Sequence, residues 1–325
     1  MKIAVTGASG HIGANLCRSL IDRGHHVKAL INNYTKSLDQ LNIEVVKGNL
    51  LDISSLTNLI SDTEVVIHLA ATISINGRND RELLDINVEG TKNMLECVRR
   101  NPVRRFIHFS SIHAIVHEPL DDTLDETRQL AFEDHILYNR SKAISEQLVL
   151  DAAKEGMDAV IINPTSVVGP NDFRPSLMGK ALLQIANRKL PGLVKGGYDW
   201  VDVRDIVFGT LKAIEKGRTG ESYLLSGTWM SLPDLADMIG RITGDRHKWT
   251  ILPYGLAELG VPFLKAYARL RGTDPLYTKE SLEILKTSHR NISSEKARKE
   301  LGYNPRPLEE TIRDTLDWFK ENGYL

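Results

Sequence analysis

From Lys2 to Pro164 short apolar runs alternate with amphipathic stretches, and this rhythm constrains the fold more than any other feature. KIAVTG (2–7), HVKALI (26–31), IEVVKG (43–48), EVVIHLA (64–70), RRFIHFS (104–110) and DAVIINP (158–164) have the length of strands. Helical patterns lie between them. HIGANLCRSLIDRG (11–24) puts Ile12, Leu16 and Leu20 on one face and stops at Gly24, and others cover about 52–61, 80–100 and 134–155. Strands that are apolar throughout and flanked by helices are covered on both faces, which means a parallel sheet. The predicted fold class is α/β, a doubly wound parallel sheet.

After Pro164 the rhythm changes. A helix at 176–188 sits among glycine, proline and asparagine. A strand and helix (199–216) and the strand ESYLLSG (221–227) are expected to rejoin the sheet. The remainder reads as helices at 231–244, 254–270, 278–287, 293–301 and 307–322, with Ser293 and Ser294 as N-caps and Gly302 as a stop. The 41 basic and 42 acidic residues nearly cancel, which argues against nucleic acid or a membrane surface held by bulk charge. No stretch reaches the ~20 apolar residues of a membrane span. GVPFLKAYARL (260–270) carries Lys265 and Arg269 and reads as an amphipathic helix. The first strand starts at Lys2, leaving no room for a signal peptide. Cys17 and Cys97 fall within helical patterns and read as buried, reduced thiols. A soluble cytoplasmic protein is expected. The histidines, including His68 and His108, lack ligand-like spacing with acids or cysteines, so no metal is expected.

TGASGHIG (6–13) sets Gly7, Gly10 and Gly13 between the first strand and the first helix, in G-x-x-G-x-x-G spacing. Glycines also turn ordinary loops. Between a strand and a helix, however, they let the backbone approach a pyrophosphate, while the helix N-terminus offers free N–H groups. An NAD site places Asp or Glu at the end of the second strand. Here the aligned residues are Ile31, Asn32 and Asn33, with Lys36 beyond them. A carboxylate would repel a 2′-phosphate, whereas Asn32 and Lys36 can donate to one, so NADP(H) is expected over NAD(H). Residues 1–165 are thus expected to form a dinucleotide-binding Rossmann domain, rejoined by 199–227. Residues 166–198 and 228–325 are expected to form a smaller, interleaved substrate lobe.

YNRSK (138–142) puts Tyr138 and Lys142 four apart on one face of a predicted helix. An ammonium beside a phenol favours the phenolate, so the pair predicts a lowered tyrosine pKa and a proton donor and acceptor for a carbonyl/alcohol couple. A surface Tyr–Lys pair is common. Ser111 sets this one apart, because it ends the strand RRFIHFSS, where a doubly wound sheet presents its binding groups.

These motifs, with GNLLD (48–52), VIHLAA (66–71), NVEGT (87–91), NPTSVVGP (163–170), WVDVRDI (200–206) and SSEKARKELGYNPRPLEETI (293–312), resemble the extended short-chain dehydrogenase/reductase family in order and spacing. Within its NAD(P)-dependent epimerases and dehydratases, the chain is most similar to the dihydroflavonol-4-reductase-like branch. The resemblance implies Tyr138 as general acid/base, Lys142 lowering its pKa and holding the nicotinamide ribose, and Ser111 on the reacting oxygen. It implies Gly7, Gly10, His11, Ile12 and Gly13 at the pyrophosphate, and Asn49 and Leu50 at the adenine. It places Leu69, Ala70 and Ala71 along the far side of the cofactor, and Pro164 and Val167 beside the nicotinamide. Asn87 is read as a helix-positioning or relay residue. A homodimer paired through helices near 80–100 and 134–155 is common among such proteins.

Three activities are open: a reductase or dehydrogenase that exchanges a hydride with a released cofactor, a nucleotide-sugar epimerase or dehydratase, and a non-catalytic NADP sensor. Sugar dehydratases of the family place an Asp-Glu pair after the active serine or threonine, whereas Ser111 is followed by Ile112 and His113. Epimerases keep the strand-two acid, absent here, although Asn163 matches an asparagine found in them. A sensor would be expected to lose the Ser, Tyr and Lys. Reduction of a small-molecule carbonyl is the favoured reading. Substrate contacts are expected from His113, with His117 nearby, and from Asn163, Arg174 and Trp200. Asp202 and Asp205 are expected to cap or salt-bridge around the helix that follows them.

Overall fold

The computed structural model describes residues 1–73, 80–271 and 277–325, with backbone alone over 263–271. The strands are β1 (Lys2–Thr6), β2 (His26–Ile31), β3 (Ile43–Lys47), β4 (Val65–His68), β5 (Arg105–Phe109), β6 (Ala159–Pro164), β7 (Ser166–Val168), β8 (Gly197–Asp202), β9 (Ser222–Leu225) and β10 (Thr228–Ser231). The helices are α1 (His11–Asp22), α2 (Ile53–Ile60), α3 (Asp80–Leu84), α4 (Gly90–Arg100), α5 (Leu137–Lys154), α6 (Leu177–Ala186), α7 (Val203–Lys216), α8 (Leu232–Thr243), α9 (Tyr254–Arg271), α10 (Lys279–Thr287), α11 (Glu295–Leu301) and α12 (Leu308–Glu321).

Seven strands pair in parallel in the order β3-β2-β1-β4-β5-β6-β9. Apolar side chains on both faces of β1 and β6 account for the two-sided cover. Leu16 and Leu20 of α1 and Ile206 and Leu211 of α7 close one face of the sheet. Leu56 and Leu59 of α2, Met94 of α4 and Val149 of α5 close the other. The strand order reverses between β1 and β4, so the carboxyl ends of these two strands open a crevice.

The strand near 199 does not join this sheet. β9 occupies the edge beside β6, with Ile161 opposite Ser222 and Pro164 opposite Leu225. β8 pairs instead with β7 in parallel and with β10 antiparallel, in a separate three-stranded sheet. Around that sheet lies a second core containing Leu182, Ile185, Trp200, Leu235, Ile239, Leu285, Ile312 and Leu316. α11 returns to the large sheet, where Ala297, Leu301 and Tyr303 enter the first core. Arg306 pairs with Asp205 at 2.9 Å, and Arg204 bridges Asp202 and Asp314 at 2.7 Å each, tying α12 to the start of α7. Asp202 also caps α7 by accepting from the Arg204 N–H.

The helix expected over 80–100 is broken by a π-helical turn at Asp85–Glu89. The Asn87 carbonyl accepts from the Thr91 and Ser145 hydroxyls at 2.7 Å each, and these bonds compete with the regular ladder. Among the described residues no helix is long and apolar enough to cross a membrane. α9 is helical, but the faces on which Lys265 and Arg269 lie fall outside the described residues.

Candidate active site

At the end of β1 the backbone turns at Gly7, with φ +69°. A Cβ there would stand 2.7 Å from the Ala70 nitrogen, so only glycine lets the loops after β1 and β4 cross this closely. Gly13 sits even tighter, because its Cβ would be 2.2 Å from the Gly7 carbonyl. The Gly10 N–H donates to the Gly7 carbonyl at 3.0 Å, and Gly10 starts α1 with no side chain capping the first turn. The loop thus faces the crevice with free amides at the positive end of a helix dipole, the donor set a pyrophosphate requires.

A cavity of about 330 Å³ runs from this loop across the carboxyl ends of the sheet. Gly7, Gly10, His11, Ile12 and Gly13 line one end, with Leu69 and Ala71 after β4 and Pro164 and Val167 after β6. Ser111, His113, Tyr138 and Lys142 line it too, so the residues expected at the reacting centre share one chamber. Ala70 is not on this lining, and its N–H donates to the Thr6 hydroxyl at 3.1 Å.

The polar groups of this chamber are buried and specifically held. Ser111 is 8 % exposed and begins a short turn, its hydroxyl accepting from the His113 N–H. The Lys142 ammonium, 3 % exposed, donates to the Phe109 carbonyl at 2.7 Å. Burial pushes the Lys142 pKa down to about 8, opposed by the Glu146 carboxylate one turn further along α5. Burial lifts the Glu146 carboxyl above its ordinary value. The Tyr138 phenol is raised as well, by burial, with the Ser111 side chain as its hydrogen-bonding neighbour acting in the lowering direction. The lowered phenol pKa anticipated from the Tyr–Lys spacing is therefore not found. Burial outweighs the opposing Ser111 hydrogen bond, and the Lys142 ammonium is bonded to the Phe109 carbonyl. His113 stands edge-on to Tyr138 at 6.3 Å and stacks on His117, and burial holds its imidazole neutral, with a pKa of about 3.

Several expected contacts lie elsewhere. Trp200 is 1 % exposed and donates to the Met230 carbonyl inside the second core, and Tyr198, packed edge-on against it, lines the cavity instead. Asn163 is fully buried behind the wall, where its amide donates to the Ser111 carbonyl at 3.2 Å and to Glu146 at 2.8 Å. It holds the Ser111 turn in place and does not face the chamber. Arg174 faces a separate small cavity with Ser9, Gly10, His11 and Tyr34, on the glycine-loop side. Asn32 and Lys36 are exposed beyond β2, and Asn49 is exposed and accepts from the Leu51 N–H. Leu50 is 3 % exposed and packs in the core, where a Cβ on Gly90 would collide with it. None of these four lines the chamber. Asn87 does hold a helix, since its amide donates to the Ser141 hydroxyl on α5 and bonds both backbone groups of Thr72.

Among residues not anticipated, Ile136, Asn139, Thr165, Ser166, Leu177, Met178, Tyr198, Ser281 and Ile284 also line the chamber. Most come from loops and second-lobe helices whose approach no local spacing encodes. Glu146 was legible, because it extends the face of Tyr138 and Lys142 by one more turn. Cys17 and Cys97 are buried free thiols, and burial pushes the Cys17 pKa up to about 12.

A glycine loop, a doubly wound sheet and a Ser/Tyr/Lys set in one chamber match a recorded family over most of the chain: the NAD dependent epimerase/dehydratase profile covers residues 3–226. The chain belongs to that family. It is an NAD(P)-dependent dehydrogenase/reductase of the extended short-chain type. It is 35 % identical over 331 residues to Sterol demethylase protein B of Methylococcus capsulatus, spanning 100 % of both chains. A relative from Synechocystis sp. carries a dihydroflavonol 4-reductase name and is 31 % identical over 332 residues, covering 99 % of this chain and 95 % of the other. The crystal structure of gox2253 superposes with a TM-score of 0.85 at 30 % identity, covering 100 % of this chain and 99 % of that one.

Proposed function

We propose that the protein is an NADP(H)-dependent carbonyl reductase, or the matching alcohol dehydrogenase, with Tyr138 as general acid/base. One observation carries this reading. Ser111, Tyr138 and Lys142 meet in the glycine-loop chamber, and no Asp or Glu stands among the described residues that line it. Dehydration of a sugar needs an acid and a base beside the cleaved C–O bond, whereas reduction needs one proton donor. Tyr138, held protonated by burial, is such a donor.

A bound nicotinamide would supply the hydride. The chain does the rest. The glycine loop and the start of α1 hold the pyrophosphate, and Leu69, Pro164 and Val167 wall the nicotinamide. Ser111 hydrogen-bonds the substrate oxygen and steadies its developing charge, while Tyr138 delivers the proton to it. Lys142, charged below about pH 8, orients the nicotinamide ribose. Glu146 and Asn163 keep Lys142 and the Ser111 turn in register.

The preference for NADP(H) rests on two features. No acid follows β2, where Ile31, Asn32 and Asn33 stand. Arg174 reaches the glycine loop beside Tyr34 and makes no ion pair among the described residues. A guanidinium there is placed for a cofactor phosphate, which it can bind in bidentate fashion.

The test is stoichiometry. The enzyme is incubated with NADPH and, separately, with ketones, aldehydes and nucleotide sugars. One cofactor oxidised per carbonyl consumed supports the proposal. An isomerised sugar with no net oxidation would replace it with the epimerase reading.

A further inference from the structure

A second chamber of about 630 Å³ adjoins the first, and His113, Ile136, Asn139 and Ile284 line both. The reaction centre therefore opens away from the cofactor into a volume larger than its own. The pyrophosphate end of the first chamber belongs to the dinucleotide. What it leaves for substrate is walled by Ile136, Leu177, Met178, Tyr198 and Ile284, with His113, Asn139, the Tyr138 phenol and small serine hydroxyls as its polar points. The wall is mostly apolar.

Three observations fix what can occupy this double space. Among the described residues Lys142 is the only lysine or arginine on either lining, and it is buried and bonded to Phe109. The second chamber carries four acids, Glu118, Glu133, Asp134 and Glu283. Ile73, Leu120, Phe132 and Leu177, each more than a third exposed, stand on the two linings, apolar surface that a ligand would withdraw from water. A diphosphate or carboxylate placed here would meet like charge and find no guanidinium to pair with. We infer that the substrate is an uncharged, largely apolar carbonyl compound whose body runs from Tyr138 into the second chamber. This names a substrate class for the reductase reading and rests on it.

The experiment pairs turnover with binding. NADPH oxidation is followed for methyl ketones from 2-butanone to 2-dodecanone, for the same chains ending in a carboxylate, and for UDP-glucose. The same compounds are titrated by calorimetry into enzyme loaded with NADP⁺, where no turnover occurs. Both kcat/KM and affinity are expected to rise about fourfold per methylene until the chambers are filled. The carboxylate-ended chains are expected to fall at least tenfold below their neutral partners. Phe132→Glu, at an exposed position that leaves the core intact, is expected to lower the dodecanone-to-butanone ratio about tenfold.

Affinity that climbs with chain length while no ketone is reduced would support the ligand class and sink the reductase reading alone. Affinity independent of length would overturn the inference even if ketones are reduced. So would tighter binding of the carboxylates or of UDP-glucose. An unchanged ratio in Phe132→Glu would overturn the placement of the chain in the second chamber.

Discussion

Replacing Lys142 with methionine separates two consequences of one buried charge. The ammonium is 3 % exposed, and burial lowers its pKa from 10.5 to about 8. Below pH 8 the native state carries a proton that it binds less well than the unfolded chain does, so the charge destabilises the fold. At about 1.4 kcal/mol per pKa unit, that penalty is about 3 kcal/mol at pH 7. Between pH 8 and 10.5 the native lysine is neutral while the unfolded one remains charged, so the stability of the parent rises with pH. The methionine variant lacks this term. It also orphans the Phe109 carbonyl, which costs about 1–3 kcal/mol but does not depend on pH. Urea unfolding of both proteins at pH 7 and pH 10 isolates the titrating part as a double difference. The parent is expected to gain about 2–3 kcal/mol on the variant across that interval. At pH 7 the variant should retain its fold while losing both turnover and cofactor affinity. A double difference below about 0.5 kcal/mol would refute the buried, depressed ammonium on which the assigned role of Lys142 depends.

Three further substitutions probe the surroundings of that lysine and the cofactor end. Glu146→Gln removes the carboxylate that raises the Lys142 pKa, so the alkaline limb of the kcat/KM profile should move to lower pH; a limb that stays in place would detach Glu146 from the site. Arg174→Gln should raise KM for NADPH about tenfold or more and leave KM for NADH within about twofold, consistent with one lost charge-assisted phosphate contact; equal effects on both cofactors would reject the 2′-phosphate assignment. Gly13→Ala forces a Cβ to 2.2 Å from the Gly7 carbonyl and 2.7 Å from the Ala8 Cα. Because both neighbours are backbone, a stability loss of about 1–3 kcal/mol and a weakened NADPH titration are expected, and a fully stable variant that binds NADPH like the parent would contradict the close packing.

The fold was legible wherever local pattern and tertiary demand coincide. The apolar runs of β1, β2, β4, β5 and β6 are covered strands, and the glycines at 7 and 13 answer to contacts that a Cβ would break. At β8 the pattern gave a strand without its partner, because β9 occupies the edge beside β6 and pairing between distant segments leaves no local mark. The same limit governed the site. Ser111, Tyr138 and Lys142 could be read because a strand end and a helical repeat of four place them. Trp200 and Arg174 could not, because their direction depends on how the second lobe packs: the tryptophan turns into that lobe's core and the arginine reaches the glycine loop. The Tyr138 pKa was misjudged for a related reason. Spacing shows the neighbouring cation, but neither its bond to the Phe109 carbonyl nor the burial that raises the phenol.

The central claim is that Tyr138 transfers the proton in the chamber it shares with the glycine loop. Tyr138→Phe removes only the hydroxyl, so NADPH binding, checked first by fluorescence titration, should match the parent. With a ketone that the parent reduces, single-turnover oxidation of bound NADPH should slow by about 10²–10⁴-fold. Near-parental turnover in a variant that binds NADPH normally would contradict it.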